Sequence, residues 1–125
     1  MITDEMRKMM TDYALLLIKG GSIGGGGTIG AGTGKVGLGG NSTSPAATDI
    51  DVPSGGTTTI TAEKTSENTM QIFLETTGST IQGMVIREMG FFENSGKMLG
   101  RVSFNGVGPF SPSDKIQIFL TVEVE

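Results

Sequence analysis

The chain has 125 residues, with nine basic against 13 acidic side chains and a formal charge of −4. It contains no His, Cys or Trp, which excludes Ser-His-Asp and Cys-His nucleophile systems, Cys/His zinc sites and disulfide frameworks. No cationic cluster exceeds Arg7-Lys8 and no apolar run approaches the roughly 20 residues that span a bilayer, so neither nucleic acid nor membrane is an expected partner.

Residues 4–18 read as a helix. Met6, Met9, Met10, Tyr13 and Leu17 recur at helical spacing and share one face. Thr3 suits the N-cap, Asp4 and Glu5 suit the positive end of the helix dipole, and Lys19-Gly20 suits the other end. Leu15, Leu16 and Ile18 widen the apolar surface, so this helix is expected to be covered on more than one side. The methionine row is either core or an inter-subunit contact, and we take Met6, Met9, Met10, Tyr13 and Leu17 as interface residues. The acidic N-terminus does not resemble a secretory signal, which points to synthesis in the cytoplasm.

Residues 20–40 hold 12 of the 21 glycines. Ordering such a backbone is costly, and few side chains are present to offset it. The tract is expected to act as a linker or to be ordered by packing against something else. Its last part, Lys35 to Gly39, is expected to form a short strand. Gly25-x-Gly27-x-x-Gly30 and Gly32-x-Gly34-x-x-Gly37 match the dinucleotide fingerprint. That fingerprint belongs between a strand and a helix, whereas this tract follows a helix and enters a loop, so no cofactor is expected. Gly34-Lys35 fails the phosphate-loop spacing at Ile29 and Val36. Turn formers dominate residues 41–56. There Asp49 and Asp51 are expected to cap turns, since a Ca²⁺ loop needs more oxygen ligands and a bidentate Glu.

From residue 57 the signals are β. Thr57 to Thr61 is β-branched throughout, and Thr69 to Thr77 sets Met70, Ile72 and Leu74 against Thr69, Gln71 and Glu75. Thr80 to Glu93 follows, with Gly83 and Gly90 as sites for a bulge or close approach. Asn94 to Lys97 is a hairpin connection with Gly96 in the left-handed position, and Met98 to Phe104 returns from it. Ile116, Ile118, Leu120, Val122 and Val124 alternate with Lys115, Gln117, Thr121 and Glu123 in a half-buried antiparallel strand. Phe119 stands on the polar side and implies a second contact there. Arg87 and Glu88 face opposite sides, so each needs a partner on its own face; Glu93 can share a face with Arg87, and a cross-strand ion pair or a buried charge pair at a subunit interface is expected. The expected architecture is mainly β. A small antiparallel β-sandwich (57–125) is preceded by an N-terminal amphipathic helix (1–19) and a Gly-rich linker with a Ser/Thr/Pro loop (20–56).

Residues 84–104, Met-Val-Ile-Arg-Glu-Met-Gly-Phe-Phe-Glu-Asn-Ser-Gly-Lys-Met-Leu-Gly-Arg-Val-Ser-Phe, resemble a segment of tailed-bacteriophage tail-fibre, collar and baseplate proteins. The shared pattern is apolar-Arg-Glu-apolar-Gly-Leu/Phe-Phe-Asp/Glu, a Gly-containing turn, and a second strand carrying Arg. Ser113-Asp114 with the closing strand Ile116 to Val124 is similar to the end of the same family. So are the Gly-rich strand at 36–40 and the Pro/Thr/Asp loop at 43–49. The resemblance covers about residues 35–125. It implies a non-enzymatic virion protein of the tail, baseplate or fibre-attachment region, assembling with itself and with other virion proteins. A capsid decoration or head–tail joining protein is the alternative. A carbohydrate-binding module or small enzyme using Asp49, Asp51, Glu63 and Glu88 is a third reading. Its carboxylates are scattered and its aromatic platforms few.

Overall fold

The computed structural model describes residues 1–23, 27–39, 49–50, 54–56 and 58–125. Helix α1 spans Asp4–Lys19. Thr3 Oγ1 accepts the Met6 N–H at 3.1 Å, and Asp4 pairs with Arg7 at 3.0 Å. At the far end Gly20 adopts a φ of +79° and donates its N–H to the Leu16 carbonyl at 2.8 Å. Thr11 and Ile18 are buried, and Ala14 and Leu15 pack against the core. Thr11 tolerates complete burial because its hydroxyl donates to the Arg7 carbonyl at 2.8 Å.

Eight strands follow: β1 (Gly21–Ile23), β2 (Gly27–Ile29), β3 (Thr33–Gly37), β4 (Thr58–Ser66), β5 (Thr69–Thr77), β6 (Ile86–Phe92), β7 (Met98–Val107) and β8 (Lys115–Glu123). β1 and β2 form a small hairpin of their own. The other six make one sheet in the order β7-β6-β3-β4-β5-β8, antiparallel at every pairing. The chain is thus mainly β with one N-terminal helix. Its antiparallel sheet curls around a single core, as in a small sandwich.

Alternation decides which side chains fill that core. Ile60, Leu74 and Ile118 stand in one cross-strand row, and Ala62, Ile72 and Leu120 in the next. Val36, Met89 and Val102 do the same in the other half of the sheet. Together with Ile18, Ile81, Ile86, Phe91 and Phe110 these rows form one apolar cluster. Each fully buried Ile, Leu or Met contributes about 1.5–3 kcal/mol. Phe91 lies over its cross-strand partner Gly100, filling the space that glycine leaves.

The glycine tract differs from a linker. Its third segment is β3, the strand that joins the two halves of the sheet. The strand expected near Lys35 to Gly39 is present, two residues earlier. The tract also ties the helix down. The Gly32 N–H donates to the Ile18 carbonyl at 2.8 Å. A Cβ at Gly32 would collide with the Phe92 carbonyl and come within 3.0 Å of the Leu17 carbonyl. At Gly34 it would lie 2.6 Å from Leu74 Cδ2 and 2.9 Å from Thr58 Cγ2. The helix itself lies on β4, where Asp12 pairs with Lys64 at 2.7 Å. It is therefore part of the same packed unit as the sheet.

Gly32→Ala and Gly34→Val are each expected to lower unfolding stability by about 2 kcal/mol or more, the scale of overpacking against backbone or a filled core. Urea denaturation read by circular dichroism checks this. Midpoints matching the parent chain would show that neither glycine is a packing requirement.

Candidate assembly surfaces

The helix face that carries the methionine row is not the face that docks. Met6 is 48 % exposed, Met9 63 %, Met10 44 % and Tyr13 53 %, while Leu17 is half-buried at the end of the row. Scattered apolar side chains are ordinary on a surface, but four large ones in a continuous row are not. Methionine is also flexible and polarisable, which suits an adaptable contact surface.

The second surface is the outer face of β4, β5 and β8. Thr61, Phe73 and Phe119 form one cross-strand row. The two rings meet with centroids 4.7 Å apart and planes tilted by 34°. Phe119 is 63 % exposed. A shallow groove of about 270 Å³ runs beside them, lined by Thr61, Glu63 and Gln71 as well as the rings. At the end of the face Gln117 donates to Glu75 at 2.6 Å, and Lys115 lies 4.0 Å from the same carboxylate. Phe119 thus has the second contact its position implies, and Phe73 supplies it. Phe73 also interrupts a polar alternation, the same signal that singles out Phe119, but that signal is masked by the stronger Met70-Ile72-Leu74 pattern.

The outer face of β3 and β6 is covered instead. Ile50 and Phe92 are buried there, both against Gly90 and apart from the main core. Lys35 Nζ sits 4.6 Å from the Phe92 ring centroid and 3.3 Å from Asp49 Oδ1. Asp49 also accepts the Ile50 N–H at 2.8 Å, and its carbonyl receives Arg101 at 3.4 Å. Asp49 is thus tied to Lys35 of β3 and, through its carbonyl, to Arg101 of β7. Asp51 lies outside the described residues. Glu88 is fully buried in β6, and Glu63 lies in the groove of the opposite half. Glu63 on β4 and Glu88 on β6 are thus not brought together, since β3 lies between their strands. Among the described residues no three acidic side chains converge in a way that would hold a metal ion. The backbone of Thr33–Gly37 is engaged in the sheet ladder, so the second fingerprint match does not form a phosphate-binding loop. Gly25 of the first match lies outside the described residues.

Arg87 requires a correction. It does not pair with Glu93; it is exposed and reaches the Leu38 carbonyl at 3.5 Å. β6 ends at Phe92, with irregular register against β7 at both of its ends, so Glu93 belongs to the turn rather than to the strand face. There its carboxylate accepts the Ser95 hydroxyl and, at 2.9 Å, the Lys97 N–H. The Gly96 N–H in turn donates to the Glu93 carbonyl, and Gly96 has the left-handed φ of +99° expected of it. The Ser95 hydroxyl, the backbone N–H groups of Lys97 and Ser95, and the Lys97 charge hold the Glu93 carboxyl below its ordinary range. Comparison with protein-family models, curated proteins and solved structures finds no match.

A depressed folded-state pKa means that Glu93 steadies the turn above its unfolded pKa. The contribution is lost as pH falls through the lower, folded value. Protection of the Lys97 amide is therefore expected to decline on acidification below the usual carboxylate range. In Glu93→Gln it should be weaker at neutral pH and flat with pH. Hydrogen exchange read by NMR checks this, and an unchanged acid profile in the Gln variant would contradict it.

Proposed function

We propose that this chain is a non-enzymatic structural protein of a tailed bacteriophage, assembling in the tail, baseplate or fibre-attachment region with itself and with other virion proteins. The observation that carries the reading is the exposed row of Met6, Met9, Met10 and Tyr13 on a helix already fixed by its other face. A pre-ordered apolar row lowers the entropic cost of association, which is what a component built into a particle requires. The segment that resembles phage tail proteins supports the same reading. Its two halves are β6 and β7, and its turn is the hydrogen-bonded Glu93–Lys97 connection. The chemistry available is consistent with it. Asp4, Asp12, Asp49 and Glu75 each face a cation, and Glu93 is engaged in a turn.

Met9→Glu combined with Met10→Glu is expected to leave the β-domain folded, with stability within about 1 kcal/mol, because both positions are exposed and Glu is a good helix former. The same variant is expected to be missing from purified phage particles in which the parent protein is found by mass spectrometry. Absence of the parent protein from particles, or undiminished incorporation of the double variant, would overturn the proposal.

A further inference from the structure

The two edges of the six-stranded sheet are unlike. β7 is irregular in register against β6 and contains Gly100 and Gly106, features that discourage a further strand from pairing with it. β8 pairs with β5 in unbroken register over nine residues and contains no Pro or Gly. Among the described residues no strand pairs with its other side. Natural edges of this kind are usually guarded by a charge near the middle. Here the middle residue is Phe119, 63 % exposed, and the charges stand at the two ends, Lys115 and Glu123.

That arrangement is self-complementary. We infer that β8 is an isologous dimer edge, which pairs antiparallel with β8 of a second copy about a two-fold axis at Phe119. Phe119 is the midpoint of the strand, so this register aligns all of Lys115–Glu123 with itself. Lys115 then stands opposite Glu123 of the second copy, twice by symmetry, and Gln117 stands opposite Thr121. On the other face Ile116 meets Val122 and Ile118 meets Leu120, so the apolar rows of both sheets continue across the junction. A slip by one residue would set the apolar face of one copy against the polar face of the other. The register also brings the two Phe119 rings together. Each is already in contact with its own Phe73, which makes an aromatic row across the joined sheets. The occupant is thus a second copy of this chain, chosen by charge placement and by the exposed central ring. It does not depend on the helix face or on a virion setting.

The test is sedimentation of the full chain with charge-reversal variants. The parent protein is expected to dimerise. Glu123→Lys should weaken the dimer by roughly tenfold, because two ion pairs become two like-charge contacts. Lys115→Glu should weaken it too, although Lys115 also faces Glu75 at 4.0 Å, so E123K is the cleaner single variant. The K115E/E123K double variant should regain most of the lost affinity, a rescue that general surface damage would not give. Phe119→Cys, the one cysteine in the chain, should form an intermolecular disulfide on oxidation. M9E/M10E should leave this dimer unchanged, so failure of the helix-face reading and failure of this one are told apart. A monomer at every concentration, insensitivity to E123K, a double variant as weak as the singles, or open-ended chains in place of a dimer would each overturn the inference.

Discussion

The structure depends on how closely two backbones approach at Gly34. The sheet consists of two antiparallel units, β7-β6-β3 and β4-β5-β8, and among the described residues they meet at one backbone pair, Gly34 with Thr58. A ladder that short cannot hold the halves in place. The seam is closed by side chains instead. Leu74 lies over the bare backbone of Gly34, and the hydroxyls of Thr58 and Thr76 are hydrogen-bonded at 2.6 Å beside it. Thr76 is fully buried, and that bond is what allows a polar group to be there. Any side chain at position 34 would part the two units and open the core they share.

The same demand explains the helix. Two residues before Gly34, Gly32 gives its N–H to the Ile18 carbonyl, so the end of α1 is bonded to the start of the central strand. The helix is then held at both ends of its docking face, by Ile18 in the core and by Asp12 on Lys64 of β4. An isolated 16-residue helix is marginal in water, and these contacts supply the missing stability. Because one face is fixed, the methionine row on another face is presented in a defined orientation. The concentration of glycine and the exposure of methionine are two consequences of one packing arrangement.

Elements governed by local rules were legible in the sequence. α1 and both its caps, the alternation of β5 and β8, and the Gly96 turn follow from neighbours a few residues away. A strand near β3 was legible, but its central place in the sheet was not. Two of its five residues are Gly and Val36 is its single apolar side chain, so it carries no hydrophobic pattern, and its partners in β6 lie more than 50 residues further along. The docking face of α1 was obscured for another reason. Thr11, Ala14 and Ile18 are a less conspicuous set than Met6, Met9 and Met10, and a helix apolar on two faces does not say which one turns inward. The Arg87–Glu93 pairing failed because alternation assumes an unbroken ladder, and the register of β6 shifts at both ends. Of the candidate surfaces, the methionine row and Phe119 could be read directly, whereas Phe73 was visible only as an exception to an otherwise polar row.

What the charges do bears on what the surfaces are for. Most of the described acidic groups discussed above are engaged in local architecture: Asp4 with Arg7, Asp12 with Lys64, Asp49 with Lys35, and Glu75 with Lys115 and Gln117. Asp114 likewise accepts the Ser111 N–H at 2.8 Å in the loop before β8. These are exposed or half-exposed pairs, each worth at most about 1 kcal/mol, so they shape turns and docking more than they add stability. The exposed apolar groups have no such internal task. Met9 and Phe119 are each 63 % exposed, and neither is needed to fill the core described above. Leaving such groups in water costs solubility without strengthening the fold, and the cost is removed when another surface covers them. The division between charges that serve the fold and apolar groups that do not is what a protein completed by assembly would show.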